Sequence, residues 1–180
     1  MDTNGASARH LELLEAAYRY VLANGLSDLS LRPLAAAIGS SPRVLLYLFG
    51  SKDGLVRALL ARARADELAL LDRVRHAAGL NDAARAVWSW LAAAEHQALL
   101  KLWTEAYARS LVEPDGAWAG FAADTVSDWL EVFADTGQPS GGPVRRTMVL
   151  AVLRGALLDL LATGDVERTT AAVESALSAP

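Results

Sequence analysis

LSLRPLAAAIGSSPRVLLYLFGSKDGLVRALL, residues 29–60, is the stretch on which the reading of the fold turns. Ser30 is an N-cap for a short helix that ends near Ile38, and Gly39 follows it where a tight turn requires positive φ. Ser41 and Pro42 repeat the start signal, an N-cap with proline at the first helical position, for a third-position helix to about Leu48. Ser51 then caps a longer helix that begins at Lys52. At about 100° per residue Leu45 and Phe49 point to one side of the third helix. Arg43, Val44 and Tyr47 share the other side, and Leu46 and Leu48 flank it. That outer face carries groups that can meet DNA. Arg43 can fork onto guanine, Val44 and the Tyr47 ring can touch a thymine methyl, and Ser40 and Ser41 can reach phosphates or base edges.

Upstream, a first helix is expected from about Ala8 to Asn24, with Leu11, Leu14, Tyr18 and Val21 on its apolar stripe and Gly25 as its left-handed stop. Three helices joined through Gly39 make a head that can present the third helix to a major groove, although a generic αα corner has the same pattern. Downstream, Asn81 or Asp82 starts a helix that runs, broken near Glu95, to Val112. Pro114 and Asp115 start another, which Gly137 ends. Residues 137–143, GQPSGGP, are the clearest loop. Pro143 opens an apolar helix to Thr163, Gly164 stops it, and Asp165 caps a last helix to about Ala176. No segment alternates in the manner of a strand, so the expected class is all-α with about nine helices. The expected division is a helix-turn-helix domain over residues 1–62 and a ligand-binding and dimerisation domain over 63–180.

Composition narrows the chemistry. The chain has 180 residues, 53% of them hydrophobic and 21% charged, enough to bury a core and incompatible with a disordered tail. It has no cysteine and three scattered histidines (His10, His76, His96), which removes disulfides, thiolate zinc sites and a cysteine nucleophile and leaves no expected metal or cofactor. Residues 1–65 carry net +3 and residues 66–180 net −7 within a total of −4, as for a small polyanion-binding head on an acidic body. The most apolar stretch, Met148 to Gly164, is interrupted by Arg154 and Asp159, and the N-terminus has no leader pattern. A soluble, cytoplasmic protein without a membrane partner is expected. There is no phosphate loop, HExxH or nucleophile elbow, so an enzyme is not expected.

The run LYLFGSKDGL, within residues 29–60, resembles the helix-turn-helix of the tetracycline-repressor (TetR) family of transcriptional regulators, whose aromatic–histidine–phenylalanine step leads into a Ser-Lys pair. The resemblance implies DNA contacts by Arg32 on the second helix and by Arg43, Val44 and Tyr47 on the third. It also makes Lys52 the phosphate-contacting lysine, at a helix start whose free amides attract phosphate as well. Two positions depart from the pattern. Leu46 stands where a tyrosine is usual and Leu48 where a histidine or tyrosine is usual, and neither leucine can donate a hydrogen bond. Weaker DNA binding and a shallower salt dependence are therefore expected.

The helix MVLAVLRGALLDLLATG is apolar on nearly its whole circumference and must be covered on two sides. One side is expected on its own domain and the other on a partner through Val149, Val152, Leu153, Ala156 and Leu160. The last helix adds the stripe Val166, Thr170, Val173 and Leu177. The TetR resemblance implies a four-helix dimer interface here. A central helix buried in a monomer is the alternative. All five tryptophans lie between residues 88 and 129. His96, Leu100, Trp103 and Tyr107 fall on one stripe, and Trp118, Phe121, Thr125 and Trp129 on another. Together with Trp88 they are expected to line a small-molecule site, with Glu95, Glu105 and His96 as polar anchors. Aromatic stripes of this kind serve equally well as plain core.

The expected function is thus a homodimeric regulator that reads a palindromic operator in double-stranded DNA, a repressor released by a small apolar effector. The alternative is a helical dimer with weakened DNA binding that acts as a ligand-binding or protein-interaction module.

Overall fold

The computed structural model describes residues 3–26, 28–137 and 142–178, and among these every regular element is helical. The order is α1 (Thr3–Asn24), α2 (Leu31–Ala37), α3 (Pro42–Phe49), α4 (Lys52–Val74), α5 (Leu80–Leu91), a 3₁₀ turn (Ala94–His96), α6 (Gln97–Val112), α7 (Phe121–Asp135), α8 (Pro143–Thr163) and α9 (Val166–Ser178). The expected break near Glu95 is that 3₁₀ turn. The loop expected at 137–143 falls largely on residues 138–141, outside the described ones. Two compact units emerge, residues 1–64 with Lys101–Ala122, and Ala65–Leu100 with residues 123–180.

The first unit buries Leu13, Ala17, Tyr18 and Val21 of α1, Leu34 and Ala35 of α2, Leu45 of α3 and Leu55, Leu59 and Ala63 of α4. Each large apolar side chain so buried contributes about 1.5–3 kcal/mol over leaving it in water. The stripe of α1 is rotated from the expected one: Leu11 is 59% exposed and Leu14 half-buried, while Leu13 and Ala17 face inward. Arg62 lies over the Tyr18 ring at 4.7 Å and its Nε donates to Glu15 at 2.6 Å. From the second segment of this unit, Trp103 Nε1 donates to the Ala63 carbonyl at 3.3 Å. The Leu26 amide donates to Glu105 Oε2 at 3.0 Å, which ties the chain just after α1 to α6. Pro114 and Asp115 do not start a helix. Residues 114–120 form turns, with Gly120 at φ +78°, and α7 begins at Phe121.

In the second unit α5 buries Leu80, Ala83, Ala84, Val87, Trp88 and Leu91 on one face. That face is bonded to α9: Trp88 Nε1 donates to Thr170 Oγ1 at 3.0 Å, Arg85 Nε to Glu174 at 3.0 Å and Asn81 Nδ2 to the Leu177 carbonyl at 2.8 Å. α8 meets α9 at Gly164. There Arg168 forks onto both oxygens of Asp159 at 2.7 Å and also reaches Asp165, whose Oδ1 caps α9 by accepting from the Arg168 amide. The Arg168 bond holds the Asp159 carboxyl below the usual carboxylate range.

Candidate nucleic-acid interface

Local chemistry fixes α3. Ser41 is extended (φ −131°, ψ 154°), its Oγ accepts from the Val44 amide at 3.3 Å, and Pro42 occupies the first turn. Gly39, at φ +64°, makes the turn out of α2 that a side chain would strain. The exit is fixed by a glycine the sequence reading passed over. A Cβ on Gly54 would sit 2.0 Å from the Phe49 carbonyl oxygen, so the first turn of α4 approaches the end of α3 as only glycine allows. Ser51 Oγ accepts from the Gly54 amide at 2.9 Å and caps α4 as expected. Leu45, 1% exposed, anchors the inner side, and Phe49 packs against His10 with ring centroids 4.5 Å apart.

With α3 anchored in this way, its outer side is held toward solvent. Tyr47 is 84% exposed, Leu46 41% and Val44 38%. Arg43 is exposed beside them, and so are Arg32 on α2 and Lys52 at the first position of α4. None of these three cations has an ion-pair partner among the described residues. Arg9 and Arg62, by contrast, are paired with Glu12 and Glu15. Of the two serines, Ser41 is exposed but its oxygen is engaged in the cap, and the Ser40 hydroxyl is buried. Ser40 is therefore not turned outward as expected. Beside Tyr47 an open groove of about 630 Å³ is lined by Ser7, His10, Leu11, Tyr47 and Leu48. Leu48 is thus a groove wall, and the outward-turned leucine is Leu46.

The family comparison matches the same stretch of the chain. Residues 13–59 match the family described as bacterial regulatory proteins, tetR family. The head is a TetR-family helix-turn-helix. The likeness of fold extends over nearly the whole chain. The multidrug binding protein EbrR complexed with proflavin is 27% identical, covers 93% of this chain and 97% of its own, and superposes with a TM-score of 0.65. EbrR complexed with imidazole is 24% identical over 96% of this chain and 92% of its own, TM-score 0.68. A TetR-family chain from Rhodococcus sp. is 22% identical over 95% of both chains, TM-score 0.69. No curated protein matches.

The other predicted site residues are distributed over both units. Trp103, Tyr107, Trp118 and Phe121 belong to the first, and Trp88, His96, Leu100, Thr125 and Trp129 to the second. Most are anchored within the chain. Trp88 and Trp103 make the indole bonds described above, and His96 stacks on Trp90 at 3.8 Å with Nδ1 2.8 Å from the Trp90 carbonyl. Leu100 is fully buried, Phe121 and Trp118 are buried, and Tyr107 is half-buried. The candidate anchor Glu105 is engaged with Leu26, and Glu95 is exposed. Thr125 and Trp129 meet on one buried acid. Glu67, 2% exposed, accepts from Trp129 Nε1 at 2.5 Å and from Thr125 Oγ1 at 3.4 Å.

Of the residues expected at a dimer interface, Val149, Leu153, Leu160, Val173 and Leu177 are buried within the chain, and Val152, Ala156 and Thr170 are half-buried. Only Val166 is well exposed. The outward stripe of α8 is instead Val144, Met148, Ala151, Gly155, Leu158 and Ala162, every one exposed and spaced by threes and fours. Among the described residues no helix is long and apolar enough to cross a membrane, and no cluster of three metal-ligating side chains occurs.

Proposed function

We propose that the chain is a homodimeric, sequence-specific repressor that binds double-stranded DNA and is released by a small apolar effector. Residues 1–62 bind DNA, and residues 63–180 bind the effector and dimerise. The observation that carries the reading is the free outer face of α3 with its unpaired cations. Arg43, Val44 and Tyr47 enter the major groove, while Arg32, Ser41 and Lys52 hold the phosphates. Pairing of two chains through the outward stripe of α8, with Val166 of α9 beside it, covers apolar surface that one chain leaves in water. Two heads so joined read a palindromic operator in half-sites about 34–36 Å apart. The bound imidazole and proflavin in the EbrR structures support effector binding by this fold. The second unit offers Thr125, Trp129 and the buried Glu67 as its polar centre. An effector acts by binding the DNA-incompetent dimer better than the competent one.

Selection of random and genomic DNA fragments by the purified protein, beside a Tyr47→Ala, Lys52→Ala variant, tests the reading. A two-fold symmetric motif enriched by the wild type alone is expected. Leu46 and Leu48 favour the second reading, a helical dimer with weakened DNA binding. Weak binding that is sequence-independent and unchanged in Arg43→Ala would establish it.

A further inference from the structure

We propose that α3 reads its half-site through thymine methyl groups, with Arg43 supplying the single polar base contact. The inference deepens the DNA-binding reading above and rests on it. The side chains of α3, PRVLLYLF, include no Asn or Gln to fork onto adenine and no acid to accept from cytosine. The hydrogen-bonding groups on the helix are the Arg43 guanidinium and the Tyr47 hydroxyl. At about 100° per residue Leu46, Arg43, Tyr47 and Val44 occupy one arc opposite the buried Leu45. Two aliphatic side chains, Val44 and Leu46, and the Tyr47 ring therefore surround one cation on a helix of two turns, and all three stand in solvent. On the major-groove edges of the four base pairs the thymine C5 methyl is the apolar group. Charge and shape agree with that partner. The unpaired Arg32 and Lys52 lie outside the apolar arc on neighbouring helices, where phosphates flank a groove. Leu46 is then a base reader in its own right and not merely the loss of a phosphate donor.

The test starts from the operator obtained by selection and replaces its thymines one at a time by deoxyuridine, which pairs identically and lacks only the methyl. At two or more positions in each half-site the affinity is expected to fall about fourfold per methyl, the equivalent of one buried methylene-sized group. Because no counterion is released at a methyl, that factor is the same at about 50 and about 200 mM salt. In the Val44→Ala and Leu46→Ala proteins the uracil effect vanishes at one position each, the signature of a direct pair in a double-mutant cycle. Both side chains are exposed, and circular dichroism checks that these variants keep the wild-type helicity. A fully uracil-substituted operator bound as tightly as the thymine one, with Arg43→Ala still abolishing selection, overturns the methyl proposal and leaves the regulator reading standing. A selection that enriches no motif overturns both and directs attention to a protein partner for the apolar face.

Discussion

Glu105→Ala is the substitution from which the structure predicts most about how the head is held. The wild-type Oε2 accepts from the Leu26 amide at 3.0 Å, and Leu26 is 2% exposed, immediately after the glycine that ends α1. Alanine leaves that donor buried without an acceptor, a penalty of about 1–3 kcal/mol. A domain of this size has only about 5–15 kcal/mol of stability, so the effect is a large fraction of the whole. At a urea m-value of about 1–3 kcal/mol per molar, the denaturation midpoint falls by about 1 M with m unchanged. Glu105→Gln keeps a carbonyl acceptor and should lose less than half as much. Hydrogen exchange localises the effect: the Leu26 amide, protected in the wild type, exchanges at a rate near that of an open turn in the alanine variant. Equal midpoints for Glu105→Ala and wild type, with Leu26 protection intact, would refute the argument.

Lys52→Ala is expected to weaken DNA binding nearly equally on all sequences and to lower the slope of log K against log salt by about 0.9, measured by anisotropy titration across salt concentrations. Leu158→Arg, on the outward stripe of α8, is expected to halve the mass found by light scattering to that of one 19.1 kDa chain without changing helicity. The Asp159–Arg168 fork predicts a pH dependence. Because the folded Asp159 value lies below its ordinary one of 3.8, the contribution is complete above that value and is lost as pH falls through the folded one. Thermal melts of Asp159→Asn and wild type should therefore differ at about pH 7 and converge toward pH 2.

Where the signal is local, the sequence was readable. Ser41-Pro42, Gly39, Ser51 and Gly164 each act through their own backbone or a neighbour within three residues, and each stands where the residue types require. Pattern reading failed where two chemistries share one signature. On α1 leucines outweigh alanines in any hydrophobic count, yet the fully buried Ala17 marks the inner face and Leu11 lines the groove. Pro114-Asp115 looks like a helix start because a turn favours the same residues. At Glu67 nothing nearby distinguishes a buried acid from a solvated one, since its donors, Thr125 and Trp129, lie some sixty residues further along the chain. Gly54 is silent for a similar reason: its need for no side chain comes from the Phe49 carbonyl, which only the folded corner brings near. On α8 an apolar circumference does not say which side the chain covers itself.

All five tryptophans lie between residues 88 and 129, and α1 to α4 contain none. Trp88, Trp103, Trp118 and Trp129 are buried, and the indoles of Trp88, Trp103 and Trp129 are hydrogen-bonded within the chain. The protein thus contains its own optical reporter. A base stacked or a phosphate bound at α3 meets the Tyr47 phenol but no indole, so a change in indole emission on adding operator DNA, excited at wavelengths that tyrosine does not absorb, has travelled through the polypeptide beyond α4. Communication between α3 and the tryptophan-bearing segments can be watched in a cuvette without a label.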